Sequence, residues 1–379
     1  MQIINKPELG PYMTFEFSKE KPIHGWFWYK EGFAPEIVEY SIKKFGQPKS
    51  ILDPFCGVGT TLLTAKNLGI QSMGMDASTL AVFISKTKTD DYSSEDIENA
   101  RLFLEKRLQP TPSDIRWNFE LFDVRAAFPK RNHNEILVLR EAIEKEGDRV
   151  RNLLLLALLS VLPQASIVLK DGGVLKIMKN KRALPAREIF RRRVKKMLRD
   201  LETQKQGHGS QVYLGDARGS DIESESIDLI ATSPPYLNNI DYSKVYGLEL
   251  SLLNMSKAEA SEVRMRAVRS FIGKQMDVGE MPEEVGEIGR TIPIIGTYFR
   301  DMELAINEMY RVLNDNGEAH ITVSNSVIHE THVLVDEIFA QIAERIGFRK
   351  TEIIVGAERI ADIRPQKVKT RESIVILKK

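Results

Sequence analysis

Residues 50–76 read SILDPFCGVGTTLLTAKNLGIQSMGMD, and they limit the possible folds tightly. A short apolar run, Ile51-Leu52, meets a turn holding Gly57 and Gly59, and a helical pattern starts at Thr60. Gly69 stops that pattern, and a second apolar run closes on Asp76. Glycine takes backbone conformations that other residues resist, so the pair marks a tight strand-to-helix turn. Strand, turn, helix and strand in so short a span is the opening of a doubly wound parallel sheet with an α/β architecture.

The rest of the chain is organised around that unit. Pro35 to Phe45 has helical spacing and ends at Gly46. Residues 1–84 then form the first half of a core. From about 85 to 208 the alternation breaks into a helix-rich, basic insertion with polar joints at Gln109-Pro110-Thr111-Pro112 and near Gly147. Strand patterns resume with QVYLGDA and SIDLIATSPPY, so residues 209–379 read as the remainder of the core, with an excursion at 237–293. A helix is predicted from about Tyr298 to Leu313, a joint at Asn316-Gly317, and the strand EAHITVS. A helix near 331–346 and two β-rich segments, KTEIIVGAERI and ESIVILKK, complete the pattern.

Composition excludes several classes. The single cysteine, Cys56, rules out a disulfide framework and any cysteine-based zinc site, and a reducing cytoplasm is the natural compartment. The N-terminus shows no basic-then-apolar leader pattern, and LLLLALLSVL (153–162) is about half the length of a membrane span. It predicts a buried helix, and no membrane role. A net charge of +1 gives no global pull on nucleic acid, so any basic patch is local. No metal site is expected.

The glycine turn offers free N–H groups at a helix start, yet Leu62 stands where a dinucleotide fingerprint needs its third glycine, and the Gly-Lys-Ser/Thr of a phosphate loop is absent. Asp53, Asp76 and Asp216 fall at the ends of successive strands, the edge where open α/β sheets bind ligands. Asp76 is placed for ribose hydroxyls and Asp216 for an adenine amine. Together they suit a nucleoside bearing a carboxylate and an amine, without a pyrophosphate.

DPFCGVGT (53–60) together with TSPPY (232–236) resembles the amino-methyltransferases that use S-adenosylmethionine (AdoMet), especially the DNA enzymes acting on N4 of cytosine or N6 of adenine. The resemblance covers about two-thirds of the chain. It implies a Rossmann-like methyltransferase fold with a mainly parallel seven-stranded sheet and a large helical insertion between the second and third strands. It also implies that Asp53, Phe55, Gly57, Gly59 and Thr60 contact the methionine end of AdoMet. Asp76 would then bind the ribose and Asp216 the adenine. Phe33, in the aromatic segment 24–35, would help enclose the methionine moiety.

The double proline then acquires a chemical reading. An exocyclic amine is a poor nucleophile because its lone pair is delocalised into the ring. It must be held in line, with its N–H bonds engaged by acceptors. Ser233 and the Pro234 carbonyl supply acceptors, while Pro234 and Pro235 remove competing donors and fix the backbone. Tyr236 offers a flat face to a base extruded from its stack. Methylation at carbon 5 needs a cysteine nucleophile, and Cys56 sits beside the cofactor turn, so that route is excluded.

The resemblance implies a lean toward cytosine, since in that family serine before the prolines is more often associated with cytosine, and aspartate or asparagine with adenine or guanine. Alternatives are an N6-adenine DNA enzyme, an RNA amino-methyltransferase, or a non-catalytic AdoMet- and DNA-binding subunit. Asn238, Asn239, Asp241 and Tyr242 either contact the base or merely cap a polar loop. Arg191, Arg192, Arg193, Lys195, Lys196 and Arg199 form a basic helix that either grips DNA phosphates or is a solvated face; Arg264, Arg266, Arg269 and Lys274 are a second such set. The expected partners are DNA and, in a restriction–modification or related defence setting, a cognate endonuclease or another subunit. Segment 85–208 is the first candidate for target recognition and 237–293 the second.

Overall fold

The computed structural model describes residues 1–108, 117, 123–171, 174–203, 209–238, 242–253, 267–269, 279–363 and 366–379. The joint 109–112 and residues Asn239, Asp241, Arg264, Arg266 and Lys274 lie outside the described residues.

The chain opens with strand β1 (Gln2–Asn5), 3-10 turns, and helix α1 (Pro35–Phe45). Pro35 at the first helical position and Gly46 just beyond the last set both limits of α1. Next come β2 (Ser50–Asp53), α2 (Thr60–Asn67) and β3 (Gln71–Asp76), the strand–turn–helix–strand unit predicted from sequence. After β3 the chain leaves the sheet through α3 (Thr79–Thr89), α4 (Ser94–Glu105), α5 (Val124–Ala127), α6 (Lys130–Ile143) and α7 (Asp148–Ala165). A small antiparallel pair, β4 (Val168–Asp171) and β5 (Val174–Ile177), precedes α8 (Ala186–Glu202). The insertion therefore contains a hairpin among its helices, which its helical periodicity does not announce.

The chain re-enters the sheet at β6 (Ser210–Leu214) and β7 (Ile227–Thr232). Short helices α9 (Tyr242–Val245), α10 (Gly247–Leu252) and α11 (Gly286–Thr291) lead to α12 (Pro293–Val312). Strand β8 (Leu313–Ser324), the hairpin β9 (Ser326–Ile328) and β10 (Thr331–Val333), α13 (Val335–Ile346), β11 (Lys350–Ile363) and β12 (Gln366–Lys378) complete the fold.

The central sheet runs β1-β11-β12-β8-β7-β2-β3-β6. Only β12 runs against its neighbours, lying antiparallel to both β8 and β11. The count is eight where seven were expected; the extra strand is β1, which pairs in parallel with β11 at Gln2↔Glu352 through Asn5↔Val355. A four-residue strand with an exposed start gives little alternation for a sequence reading to find.

Two boundaries also move. α12 starts at Pro293 instead of 298, because a proline is well placed at a helix's first position. Asn316-Gly317, read as a joint, lies inside β8 as an irregularity: the register with β7 jumps from Ile227↔Leu313 to Leu229↔Glu318. Asn316 has φ 65°, and a Cβ on Gly317 would stand 2.9 Å from the Asn314 carbonyl oxygen, so the kink needs a small residue. The helix expected from 331 begins at Val335, and Thr331–Val333 is β10.

Burial explains the layers. α7 carries Leu153–Leu159, Val161 and Leu162 inside, with Ser160 half-buried. Its side chains join one apolar cluster with Val58 and Leu63 of the glycine-turn unit, Phe103, Phe190 and Met197 of the insertion, Tyr246 just before α10, and Leu250 of α10. The insertion is thus packed onto one face of the sheet and continuous with its core. α12 and α13 cover the opposite part, with Tyr298, Phe299 and Phe339 fully buried. Among the described residues no helix is long and apolar enough to cross a membrane.

Candidate active site

Strands β2, β7 and β8 are mutually parallel, so their carboxyl ends lie on one edge of the sheet. A cavity of about 500 Å³ opens there. It is lined by Asp53, Phe55, Gly57, Thr60 and Asp76 from the first motif and by Ser233, Pro234, Pro235, Tyr236 and Asn238 from the second. Phe33 also lines it. Segments some 175 residues apart in sequence are joined directly: the Thr232 hydroxyl donates to Asp53 Oδ1 at 2.6 Å.

The glycine turn is held by its own backbone. Gly57 (φ 49°) and Gly59 (φ 78°) take left-handed conformations, and a Cβ on Gly59 would meet Ser85 Oγ at 3.0 Å. Gly57 N–H donates to Asp76 Oδ2 at 2.9 Å, and Ser78 N–H donates to Asp76 Oδ1 at 2.8 Å. Ser85 Oγ donates to the Gly57 carbonyl, and the buried Lys88 Nζ donates to the Val58 carbonyl at 3.0 Å. Gly59 itself does not line the cavity; its role is the shape of the turn.

Two acids form the cavity's charged floor. Burial pushes the Asp53 carboxyl up to about 6 despite donation from Thr232, and burial likewise raises Asp76, opposed by the Ser78 and Gly57 N–H groups. Among the described residues no neighbouring cation counters either shift. Such a floor fits a ligand that brings its own positive charge and hydroxyl donors, which are the attributes of AdoMet's ammonium, sulfonium and ribose.

The double-proline loop is anchored from two sides. Ser233 Oγ donates to the Thr322 carbonyl of β8 at 3.0 Å, which directs its proton away and leaves its lone pairs for a donor. The fully buried Tyr298 hydroxyl donates to the Pro235 carbonyl at 3.0 Å. Among the described residues none donates to the Pro234 carbonyl. Two acceptors therefore sit side by side on a loop that cannot offer a donor at either proline.

Asp216 behaves differently from the expectation. Its carboxylate is gripped by Arg218, with Nη2 to Oδ2 at 2.6 Å and Nε to Oδ1 at 2.9 Å, and Arg218 also reaches Asp301. Asp216 does not line the cavity; its neighbours Gly215 and Ala217 do. An arginine two residues away folds back on the turn and pairs with the carboxylate. Tyr242 begins α9, and Tyr246, just beyond that helix, lines the cavity. On α8, Arg191, Arg192, Lys195 and Arg199 line a separate, shallower cleft with Arg101. Arg193 and Lys196 turn toward the N-terminal segment, where Arg193 donates to the Gly25 carbonyl.

Several lining residues carried no motif. Tyr29 stacks on Tyr246 with ring centroids 4.9 Å apart, and its ring stands over Gly57. The Tyr246 hydroxyl donates to Glu31 Oε2 at 2.7 Å, and Lys170 Nζ lies 3.9 Å from the Tyr246 ring centroid. Burial raises the Glu31 carboxyl above the ordinary carboxylate range. Arg359 and Glu372, joined at 2.7 Å, close the cavity beside Ser324. The aromatic richness of 24–35 was the one available signal for Tyr29; nothing local marks Arg359 or Glu372.

No family model matches the chain. It is 24% identical, over 97% of its length and 87% of the relative's, to Type II methyltransferase M.BsoBI of Geobacillus stearothermophilus. To Type II methyltransferase M.AvaI of a Nostoc species it is 27% identical, over 90% of this chain and 82% of that one. A shorter match, 37% over 88 residues and 23% of this chain, is to Type II methyltransferase M.MjaII of Methanocaldococcus jannaschii, covering 17% of that protein. Among solved structures, a SAM-dependent methyltransferase from Methanosarcina mazei overlays loosely, with TM-score 0.33 and 10% identity over 89% of this chain and 96% of that one. Both motifs thus line one cavity, in a chain that is similar over 90–97% of its length to proteins named as Type II methyltransferases.

Proposed function

We propose that this protein is an AdoMet-dependent DNA methyltransferase of a Type II restriction–modification system, and that it methylates N4 of an extruded cytosine. One observation carries the reading: the acid-floored glycine turn and the Ser-Pro-Pro-Tyr loop share one cavity and are hydrogen-bonded to each other. Relatives named as Type II methyltransferases support the restriction–modification setting, and with it a cognate endonuclease as partner.

Bound AdoMet supplies an electrophilic methyl group on a positively charged sulfur. Asp53, Phe55, Gly57 and Thr60 would hold its methionine end, Asp76 would accept from its ribose, Phe33 would pack against it, and Asp216 would shape the adenine end through Gly215 and Ala217, which line the cavity. Ser233 Oγ and the Pro234 carbonyl accept the two N–H bonds of the target amine. That engagement would localise the nitrogen lone pair for attack on the methyl carbon; as the nitrogen–carbon bond forms the sulfur–carbon bond breaks, the sulfonium leaves as a neutral thioether, and the surplus proton passes to solvent. Tyr236 provides the stacking wall, which a base lifted out of the duplex requires. Asn238 stands at the rim, exposed. The exposed Arg191, Arg192 and Lys195, with Lys196 half-buried beside them, are placed as phosphate contacts that set position without reading sequence.

The test is incubation with labelled AdoMet and DNA followed by digestion to nucleosides. N4-methylcytosine is the expected product. N6-methyladenine would overturn the base assignment, and transfer to tRNA without transfer to DNA would overturn the substrate.

A further inference from the structure

We propose that the two-stranded ribbon formed by the far ends of β11 and β12 enters the major groove of the target DNA beside the extruded base. This rests on the reading of the protein as a DNA methyltransferase.

The ribbon begins where its sheet ends. β1 pairs with β11 only as far as Val355, and β8 pairs with β12 only as far as Glu372. The two strands continue together from Glu358↔Arg371 to Ile363↔Gln366, six further pairs, with no third strand beside them among the described residues. At about 3.3 Å per residue this is a projection of roughly 20 Å. A two-stranded ribbon alone is at best marginally stable in water, and this one does little for the core: Ile360 is 69% exposed at its side.

Direction and position point it at the substrate. β11 runs parallel to β8, which runs parallel to β7 and β2, so the ribbon leaves the sheet at the edge that carries Asp53 and Ser-Pro-Pro-Tyr. Its base is part of the cavity wall, through Arg359 and Glu372 next to Ser324. A register shift between Val355 and Ala357 re-aims the strands just there, as bulges beside active sites do. Arg371 pins the root by donating to Asp336 Oδ2 and Glu337 Oε1, each at 2.6 Å.

Beyond that root the exposed side chains include Lys367 and Lys369, and Lys369 pairs with Glu358, 3.1 Å away at the surface. A duplex whose base has swung into the cavity must lie over this edge, where the ribbon already stands. The major groove, about 12 Å wide and 8.5 Å deep, admits a two-stranded ribbon, and lysines on its flanks suit the bordering phosphates.

Two variants test the assignment on the full chain. The first replaces residues 360–369 with Asn-Gly, joining the cross-strand partners Arg359 and Thr370 through a two-residue turn. The second is Lys367→Glu/Lys369→Glu. Both should bind AdoMet as the unaltered protein does. The shortened variant should lose methyl transfer at limiting DNA by about tenfold or more. The charge variant should lower the slope of log affinity against log salt by about two. Unaltered transfer and salt slope in the charge variant, or wild-type transfer at limiting DNA in a folded shortened variant, would overturn the ribbon's role. If the unaltered protein binds AdoMet but transfers nothing to DNA, the methyltransferase reading itself fails instead.

Discussion

The glycine turn and the double-proline loop leave adjacent strands of one sheet, yet they treat the backbone in opposite ways. The first uses its donors internally: Gly57 N–H goes to Asp76, Phe55 N–H to Asp53, and Gly59 N–H to the Cys56 carbonyl. What it shows the cavity is negative charge, with no cation against it among the described residues. The second removes donors at two positions and turns the Ser233 proton toward β8, so it presents neutral acceptors. A charged floor suits a cationic ligand, and a neutral acceptor pair suits an amine that must stay uncharged to attack. The contrast predicts that ligand binding and methyl transfer can be damaged separately.

The largest effect should come from the second loop. Ser233→Ala and Tyr236→Ala should each lower kcat by about a hundredfold, the scale of losing one preorganised polar contact at a reacting centre, while AdoMet affinity measured by calorimetry stays unchanged. Equal loss of affinity in both would break the division of labour. Next in size, Asp76→Ala should weaken AdoMet binding by roughly ten- to a hundredfold, since hydrogen bonds to a charged group contribute about 1.5–3 kcal/mol. Its kcat at saturating AdoMet should move much less.

The pH dependence of Asp53 sharpens the same contrast. Its folded pKa of about 6 lies above the ordinary 3.8, so between those values the folded state holds a proton that the unfolded state has released. Stability of the ligand-free protein should therefore fall as pH rises from about 4 to 6 and then level off, by roughly 3 kcal/mol in all. A cationic ligand favours the ionised acid, so AdoMet affinity should rise over the upper part of that window. Asp53→Asn should flatten both trends, as read by thermal melts and calorimetry at stepped pH. Smallest is Thr232→Val, which keeps the shape and removes the 2.6 Å link between the motifs. It should lower stability by about 1 kcal/mol and leave the salt dependence of DNA binding unchanged.

Much of the site was legible because its chemistry is local. Gly57 and Gly59 are needed for a turn that four consecutive residues define, and prolines fix the loop at 234–235 whatever surrounds them. Asp53 and Asp76 could be placed because a strand end is visible in a short apolar run. Asp216 shows the limit of that reasoning: the strand end was found, but Arg218 beside it takes the carboxylate. Tyr246, Glu31 and Arg359 had no local signal, since each reaches the cavity from an element whose periodicity says nothing about where it lands.

Sequence alone therefore determined the strand–turn–helix unit, the insertion between the second and third strands of the parallel core, and the two motifs. These follow from backbone preferences and residue chemistry within a few positions of one another. Only the tertiary structure decided that Asp53 and Thr232 touch and that β1 adds an eighth strand. Only it showed that the Asn316-Gly317 kink lies within β8, and that β11 and β12 outrun their sheet at the catalytic edge. Those depend on which strands lie side by side and where their pairing stops. Register between distant segments is set by the packed core as a whole, and no local pattern carries it.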